Sequence, residues 1–332
     1  MFIKNYQNTF LIFLITGTLI AASATSWFTA WVGLEINLMS LIPLILRKIN
    51  NQSTEAAIKY FLVQSIASLI LIASAMFEII STKIYIPNRT NELIILALII
   101  KLGISPFHFW FPQVILIVGW FQSFLILVWQ KVGPFILLSY FKINEFFILV
   151  IITSRVVGAV GGLNQILIKN ILTYSSIAHS SWILILCLIS INSWFIYFRI
   201  YSIITITLIP IFRHKNILSI KHINEIKSNV INKAIILFSI ISLGGLPPFL
   251  GFTAKIRAIL TSINLVPLEL IFILIASSLI SLFYYLKLTY NIILNTSIEI
   301  FINLKKTDSR IRLIISLTIL GNFIIPILVL LT

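Results

Sequence analysis

Apolar segments long enough to cross a bilayer follow one another almost from end to end of this chain, and that succession restricts its fold more than any other feature. The hydrocarbon core of a bilayer is about 30 Å thick, so a crossing helix needs roughly 20 predominantly apolar residues. Within that core every backbone amide and carbonyl must find a partner inside the protein. The expectation is an all-α polytopic membrane protein of about eleven transmembrane helices, with cores near 5–23, 27–46, 57–79, 92–111, 114–140, 146–166, 170–190, 193–212, 234–262, 267–294 and 311–331. With 59% of the 332 residues hydrophobic and 10% charged, no room is left for a sizeable aqueous domain. The first residues follow neither the plan of a signal peptide nor that of a transit peptide. A mitochondrial location would therefore imply synthesis inside the organelle.

The formal charge of +15 falls mostly on one set of alternate loops. That set runs from Lys4, Arg47, Lys48 and Lys59 through the 213–233 cluster to Lys305, Lys306, Arg310 and Arg312, while the opposite set holds only Lys83, Arg89 and Lys142 among its bases. By the positive-inside rule the N-terminus lies on the cytoplasm- or matrix-like face, and an odd number of helices puts the C-terminus opposite. The charge is thus a topology signal, and a nucleic-acid partner is not expected. The single cysteine, Cys187, excludes an intrachain disulfide or an iron–sulfur cluster held by this chain's own thiolates.

Charges inside the apolar spans are few. Of the nine acids only Glu35 lies well within one, in Trp31-Val-Gly-Leu-Glu-Ile-Asn37, whereas lysines recur mid-span at Lys101, Lys131 and Lys255. An ionised side chain at bilayer depth costs roughly 2.5–3.5 kcal/mol on insertion scales and usually marks an ion pathway or proton relay. Two spans are interrupted. The fourth contains Lys101-Leu-Gly-Ile-Ser-Pro-Phe-His-Phe-Trp110 and the ninth Gly244-Gly-Leu-Pro-Pro248, shortly before Lys255. Glycine and proline cannot sustain a regular helix there. Interrupted helices five apart point to two inverted repeats, residues 1–142 and 143–300, followed by a C-terminal helix in 301–332.

Glu35 and Lys101 form the first candidate proton site. Burial disfavours the charged form of either group and an opposite charge favours it, so the pair can switch. The structural alternative is a static ion pair that fixes packing. Lys131 sits between apolar turns. Lys255 could instead snorkel to the interface. His179, in Tyr174-Ser-Ser-Ile-Ala-His179, has serines around it that could order water for a proton relay, although a satisfied core histidine explains it as well. Arg155, Arg199, Arg257 and Lys287 are read by default as headgroup or subunit contacts, and His108 as an interfacial anchor. Asn37, Gln64, Gln122, Asn164 and Gln165 suit water binding or interhelical hydrogen bonds. The sequence offers no phosphate loop, no metal-ligand spacing and no flavin, haem or nucleotide motif. Any redox chemistry is therefore expected in another chain.

These stretches, together with Trp129-Gln-Lys131 and Gly161-Gly-Leu-Asn-Gln165, resemble in order and spacing the NADH dehydrogenase (ubiquinone) subunit 2 family, the mitochondrially encoded antiporter-like subunits of respiratory complex I. The resemblance covers nearly the whole chain, and its length and Ile-rich composition look like those of an insect or other invertebrate. It implies an inverted-repeat antiporter-like fold and a proton-translocating subunit of NADH:ubiquinone reductase. It implies no cofactor or metal in this chain, with flavin, iron–sulfur clusters and ubiquinone in other subunits. The family's key glutamate falls on Glu35, its broken-helix lysine on Lys101, its connecting lysine on Lys131 and its terminal-channel lysine on Lys255. The implied partners are other membrane-arm and accessory subunits and lipids such as cardiolipin. The implied location is the mitochondrial inner membrane, N-terminus in the matrix and C-terminus in the intermembrane space. Three N-terminal helices of bacterial relatives are lacking. Two other classes are a stand-alone cation/proton antiporter and a structural spacer whose charges only hold helices together.

Overall fold

The structure, a computed structural model, describes residues 2–47, 50–81, 89–215, 217–220 and 230–296. The expected eleventh span (311–331) lies outside these residues, as do Lys48, Lys83, Lys221, Lys227 and the bases of 301–332.

Among the described residues the chain is helical, apart from an isolated antiparallel bridge between Leu167 and Ser219. The helices are α1 (Phe2–Ala22), α2 (Trp27–Ile45), α3 (Asn51–Ser81), α4 (Arg89–Leu102), α5 (Trp110–Ile117), α6 (Trp120–Phe124), a π-helical turn (Leu125–Trp129), α7 (Gln130–Leu138), α8 (Glu145–Leu163), α9 (Ile168–Ile189), α10 (Ile191–His214), α11 (Val230–Gly244), α12 (Leu250–Ser262) and α13 (Leu268–Thr296). Seven described segments are long and apolar enough to cross a membrane: Trp27–Ile45, Asn51–Glu78, Trp120–Leu138, Glu145–Leu163, Ile168–Ile189, Ile191–His214 and Leu268–Ile293. Tyr6–Ala22 and Lys233–Gly244 are shorter apolar helices. The difference from eleven has separate causes. The fourth and ninth expected spans are each divided by glycine and proline, the first is short, and the eleventh lies outside the described residues, whereas the fifth is counted although it runs through α6, the π turn and α7.

The two divisions share one backbone solution. Gly103, at φ 65°, and Gly245, at φ 75°, each occupy the left-handed region that glycine adopts without steric cost. The Gly103 amide donates to Ile100 O at 3.1 Å and the Ile104 amide to Ile99 O at 3.4 Å. The Gly245 amide likewise donates to Ser242 O at 3.1 Å and the Leu246 amide to Ile241 O at 3.5 Å. This is the Schellman pattern, which satisfies last-turn carbonyls that would otherwise be orphaned. Both stops are followed by proline, which lacks the amide needed to continue a helix.

The described residues form two compact units that divide between Val150 and Ile151, within α8. In the first, α1 packs along α2, α3 against α2, α4 and α5, and α7 against α1, α2 and α4. The α1–α2 crossing depends on Gly33: a Cβ there would lie 2.5 Å from the Ala21 amide nitrogen and 2.8 Å from Gly17 O. Helices in membranes use small residues for such close backbone approach. Ser26 starts α2 as a capping box, its Oγ accepting from the Thr29 amide and its own amide donating to Thr29 Oγ1, each at 3.3 Å. Start and crossing together set the position of Glu35. In the second unit, α9 packs on α10, α12 and α13, and α10 on α11 and α12.

Candidate functional site

In the first unit Lys101 occupies the last turn of α4, just before the Gly103 stop, and is 6% exposed. Its backbone carbonyl, which the stop leaves without a partner of its own helix, accepts from Gln64 Nε2 of α3 at 3.1 Å. Glu35 is half-buried on α2. The two form no direct ion pair among the described residues, yet Lys101 lies within electrostatic reach of the Glu35 carboxylate. A small polar cavity lies against Lys101, between α2, α3 and α7. Beside it Gln130 Nε2 of α7 donates to Asn37 Oδ1 of α2 at 2.9 Å.

Lys131, the second residue of α7, lies just beyond the π turn and is 2% exposed. Its ammonium lies 5.0 Å from the centroid of the Phe111 ring, a cation–π arrangement that partly compensates a desolvated charge. The π turn widens the helix by one residue, and such turns occur often at functional sites.

In the second unit Lys255 of α12 is 8% exposed, and its Nζ donates to Gly244 O at 2.7 Å. The division between α11 and α12 frees that carbonyl, and the lysine fills the vacancy. Snorkelling to the interface is therefore not its position. His179 of α9 is buried, shares a hydrogen bond of 2.9 Å between Nδ1 and Tyr197 Oη, and stacks obliquely on Tyr201 at 5.3 Å.

Arg155 departs from its expected place. Far from contacting headgroups, it is 1% exposed within the second unit. Its Nε donates to Ser277 Oγ at 3.0 Å, one terminal nitrogen to Ala178 O at 3.0 Å and the other to Ser281 Oγ at 3.2 Å. It lies within electrostatic reach of Lys255 and of the hydroxyls of Tyr197, Tyr284 and Tyr285. The spacing of Ser277 and Ser281, one turn apart on α13, was the available sequence signal. His108 is buried and packed on Phe109 at 4.4 Å. Arg199, by contrast, is exposed and lies over Phe195 at 4.1 Å.

The first unit thus brings Glu35 within reach of Lys101 and buries Lys131, while the second holds Lys255, His179 and Arg155. The polar residues Gln64, Gln122 and Gln165 make hydrogen bonds to Lys101 O, to Leu44 O at 3.0 Å and from Asn170 Nδ2 at 2.8 Å. Tyr60, which lines the cavity beside Lys101, Gln130 and the π turn were missed, because an aromatic or amide on an apolar helix gives no sign of which face it occupies. Among the described residues no group of three or more His, Cys, Asp or Glu is placed to hold a metal.

A family profile described as NADH:quinone oxidoreductase/Mrp antiporter, transmembrane, matches residues 24–283. The NADH-ubiquinone oxidoreductase chain 2 of Anopheles gambiae is 40% identical over 297 residues, covering 87% of this chain and 86% of the relative. That of Locusta migratoria is 35% identical over 300 residues, covering 89% and 87%. Among solved structures, a chain of the respiratory complex I of Thermus thermophilus superposes with a TM-score of 0.82 at 22% identity, covering 95% of this chain and 77% of that one. The chain therefore belongs to the NADH:quinone oxidoreductase/Mrp antiporter family of multi-pass membrane subunits, alongside the animal relatives named NADH-ubiquinone oxidoreductase chain 2.

Proposed function

We propose that the chain translocates protons as a membrane-arm subunit of NADH:ubiquinone oxidoreductase, using Glu35, Lys101, Lys131 and Lys255 in that order, with His179 as a relay. The observation that carries this reading is the seating of buried lysines at glycine-terminated helix divisions, with one carboxylate in reach of the first lysine. Each division is read as one interrupted span, which with α1 and residues 311–331 brings the count to eleven. The matching stops at Gly103 and Gly245 support inverted repeats of 1–142 and 143–300 with a C-terminal helix in 301–332. The redox centres and ubiquinone belong to other subunits. The assembly sits in the mitochondrial inner membrane with the N-terminus in the matrix, the C-terminus in the intermembrane space and lipids such as cardiolipin around it.

The driving step is electrostatic. A redox-linked change in a neighbouring subunit alters the Glu35–Lys101 interaction, and Lys101 changes its hold on a proton. Moving one charge against 100 mV costs about 2.3 kcal/mol, equivalent to about a fifty-fold change in proton affinity. Buried ionisable groups reach changes of that size.

Glu35→Gln and Lys101→Met in the assembled complex are expected to leave assembly intact and to reduce the protons pumped per NADH oxidised, read by acidification around closed membrane vesicles. Full pumping by either variant would overturn the reading. Native co-migration with redox-active subunits separates a complex I subunit from a stand-alone antiporter.

A further inference from the structure

The polar cavity against Lys101 has a chemistry of its own. It has about 10 Å³ open to the centre of a water molecule, the space that one ordered water requires. Lys101, Tyr60, Gln64, Asn37 and Gln130 supply its polar lining. The amide nitrogens of Gln64 and Gln130 are committed to Lys101 O and Asn37 Oδ1, so these two bonds hold the walls in place. Tyr60 is 2% exposed, with its ring fixed edge-on to Trp110 at 5.8 Å. Among the described residues neither its hydroxyl nor the Lys101 ammonium makes a hydrogen bond to a protein atom. A buried ammonium and a buried phenol facing one polar cavity are costly unless a small hydrogen-bonding molecule joins them.

We infer that this cavity is a one-water site, in which the Tyr60 hydroxyl and the Asn37–Gln130 amide pair hold a water against Lys101 Nζ, making Tyr60 a positioning residue for proton exchange at that lysine. The inference rests on the reading of Lys101 as a proton-exchanging group. A water suits both states of the lysine. It accepts from the ammonium and turns to donate to the neutral amine. The Tyr60 hydroxyl both donates and accepts, so it reverses with the water. Asn37 and Gln130 each present an amide oxygen and nitrogen, giving the water the two to four partners that an ordered buried water needs. Phenylalanine at 60 would keep the ring packing and lose only this hydrogen bond.

The test uses the assembled complex with Tyr60→Phe, and Lys101→Met in parallel. A density map of the unsubstituted complex that resolves buried waters is expected to show one water within hydrogen-bond distance of both Lys101 Nζ and Tyr60 Oη. In Tyr60→Phe that density is expected to vanish while the Lys101 and Asn37 side chains stay in place. Protons pumped per NADH oxidised are expected to fall about ten-fold, the effect of losing one hydrogen bond in a chain ending at a charge. No water in the unsubstituted cavity, or full pumping by Tyr60→Phe beside a failing Lys101→Met, overturns the one-water site and leaves the function standing. Full pumping by Lys101→Met instead removes the function on which the site rests.

Discussion

Four of the buried cations among the described residues are compensated by different local devices. Lys255 donates to the Gly244 carbonyl, Lys131 lies over the Phe111 ring, and Lys101 has the field of Glu35 beside a polar cavity. Arg155 is held most completely, by three hydrogen bonds to α9 and α13. Its guanidinium supplies a planar fork of donors that an ammonium cannot reproduce. Arg155→Lys is therefore expected to destabilise the second unit by about 2 kcal/mol although it preserves the charge, since hydrogen bonds from a charged group contribute roughly 1.5–3 kcal/mol each. Retention of the chain in the assembled complex after graded heating reads the loss. A variant as heat-resistant as the parent would show that the guanidinium's fork of hydrogen bonds does not contribute to stability. The sequence marked Lys101, Lys131 and Lys255 by the cost of a charge in an apolar run. It could not mark Arg155 as internal, because its partners lie 23, 122 and 126 residues away.

At the level of elements, glycine works in two ways. At Gly103 and Gly245 it permits the left-handed residue that closes a helix, and at Gly33 it permits two backbones to touch. Gly33→Val is expected to push α1 from α2 and cost about 1–3 kcal/mol, the usual penalty for overpacking a tight contact. It would also shift Glu35, two residues on, away from Lys101. The expected result is a lower yield of assembled complex, with pumping per assembled complex also reduced; normal values of both would refute the close crossing. The glycine–proline stops could be read in sequence because they act through the local backbone. The π turn at Leu125–Trp129 could not. No residue type demands it, and a single added residue rotates everything after it, including Lys131.

On the scale of the whole molecule, polarity runs inside out relative to a water-soluble protein. Buried positions include Lys101, Lys131, Arg155, His179 and Lys255, while Phe272, Leu279 and Leu69 are among the most exposed large side chains. A lipid solvent reverses which groups need shelter. Cys187 is buried and forms no disulfide, so membrane-permeant thiol reagents are expected to leave this chain of the assembled complex unlabelled. A cysteine placed at Lys4 should then react with impermeant reagent only from the matrix side, and labelling from the opposite side would reverse the proposed topology. The amino-acid sequence by itself determined that the chain spans a membrane, where helices stop, and which charges are too costly to be incidental. Those properties depend on run length, backbone conformation and the transfer energy of one side chain, all of which are local. Only the tertiary structure decided that Lys255 meets Gly244, that Gln64 and Gln130 wall a cavity beside Lys101, and that Arg155 faces inward. The rotation of each helix about its axis sets these partners, and that rotation is fixed by contacts with residues far away along the chain.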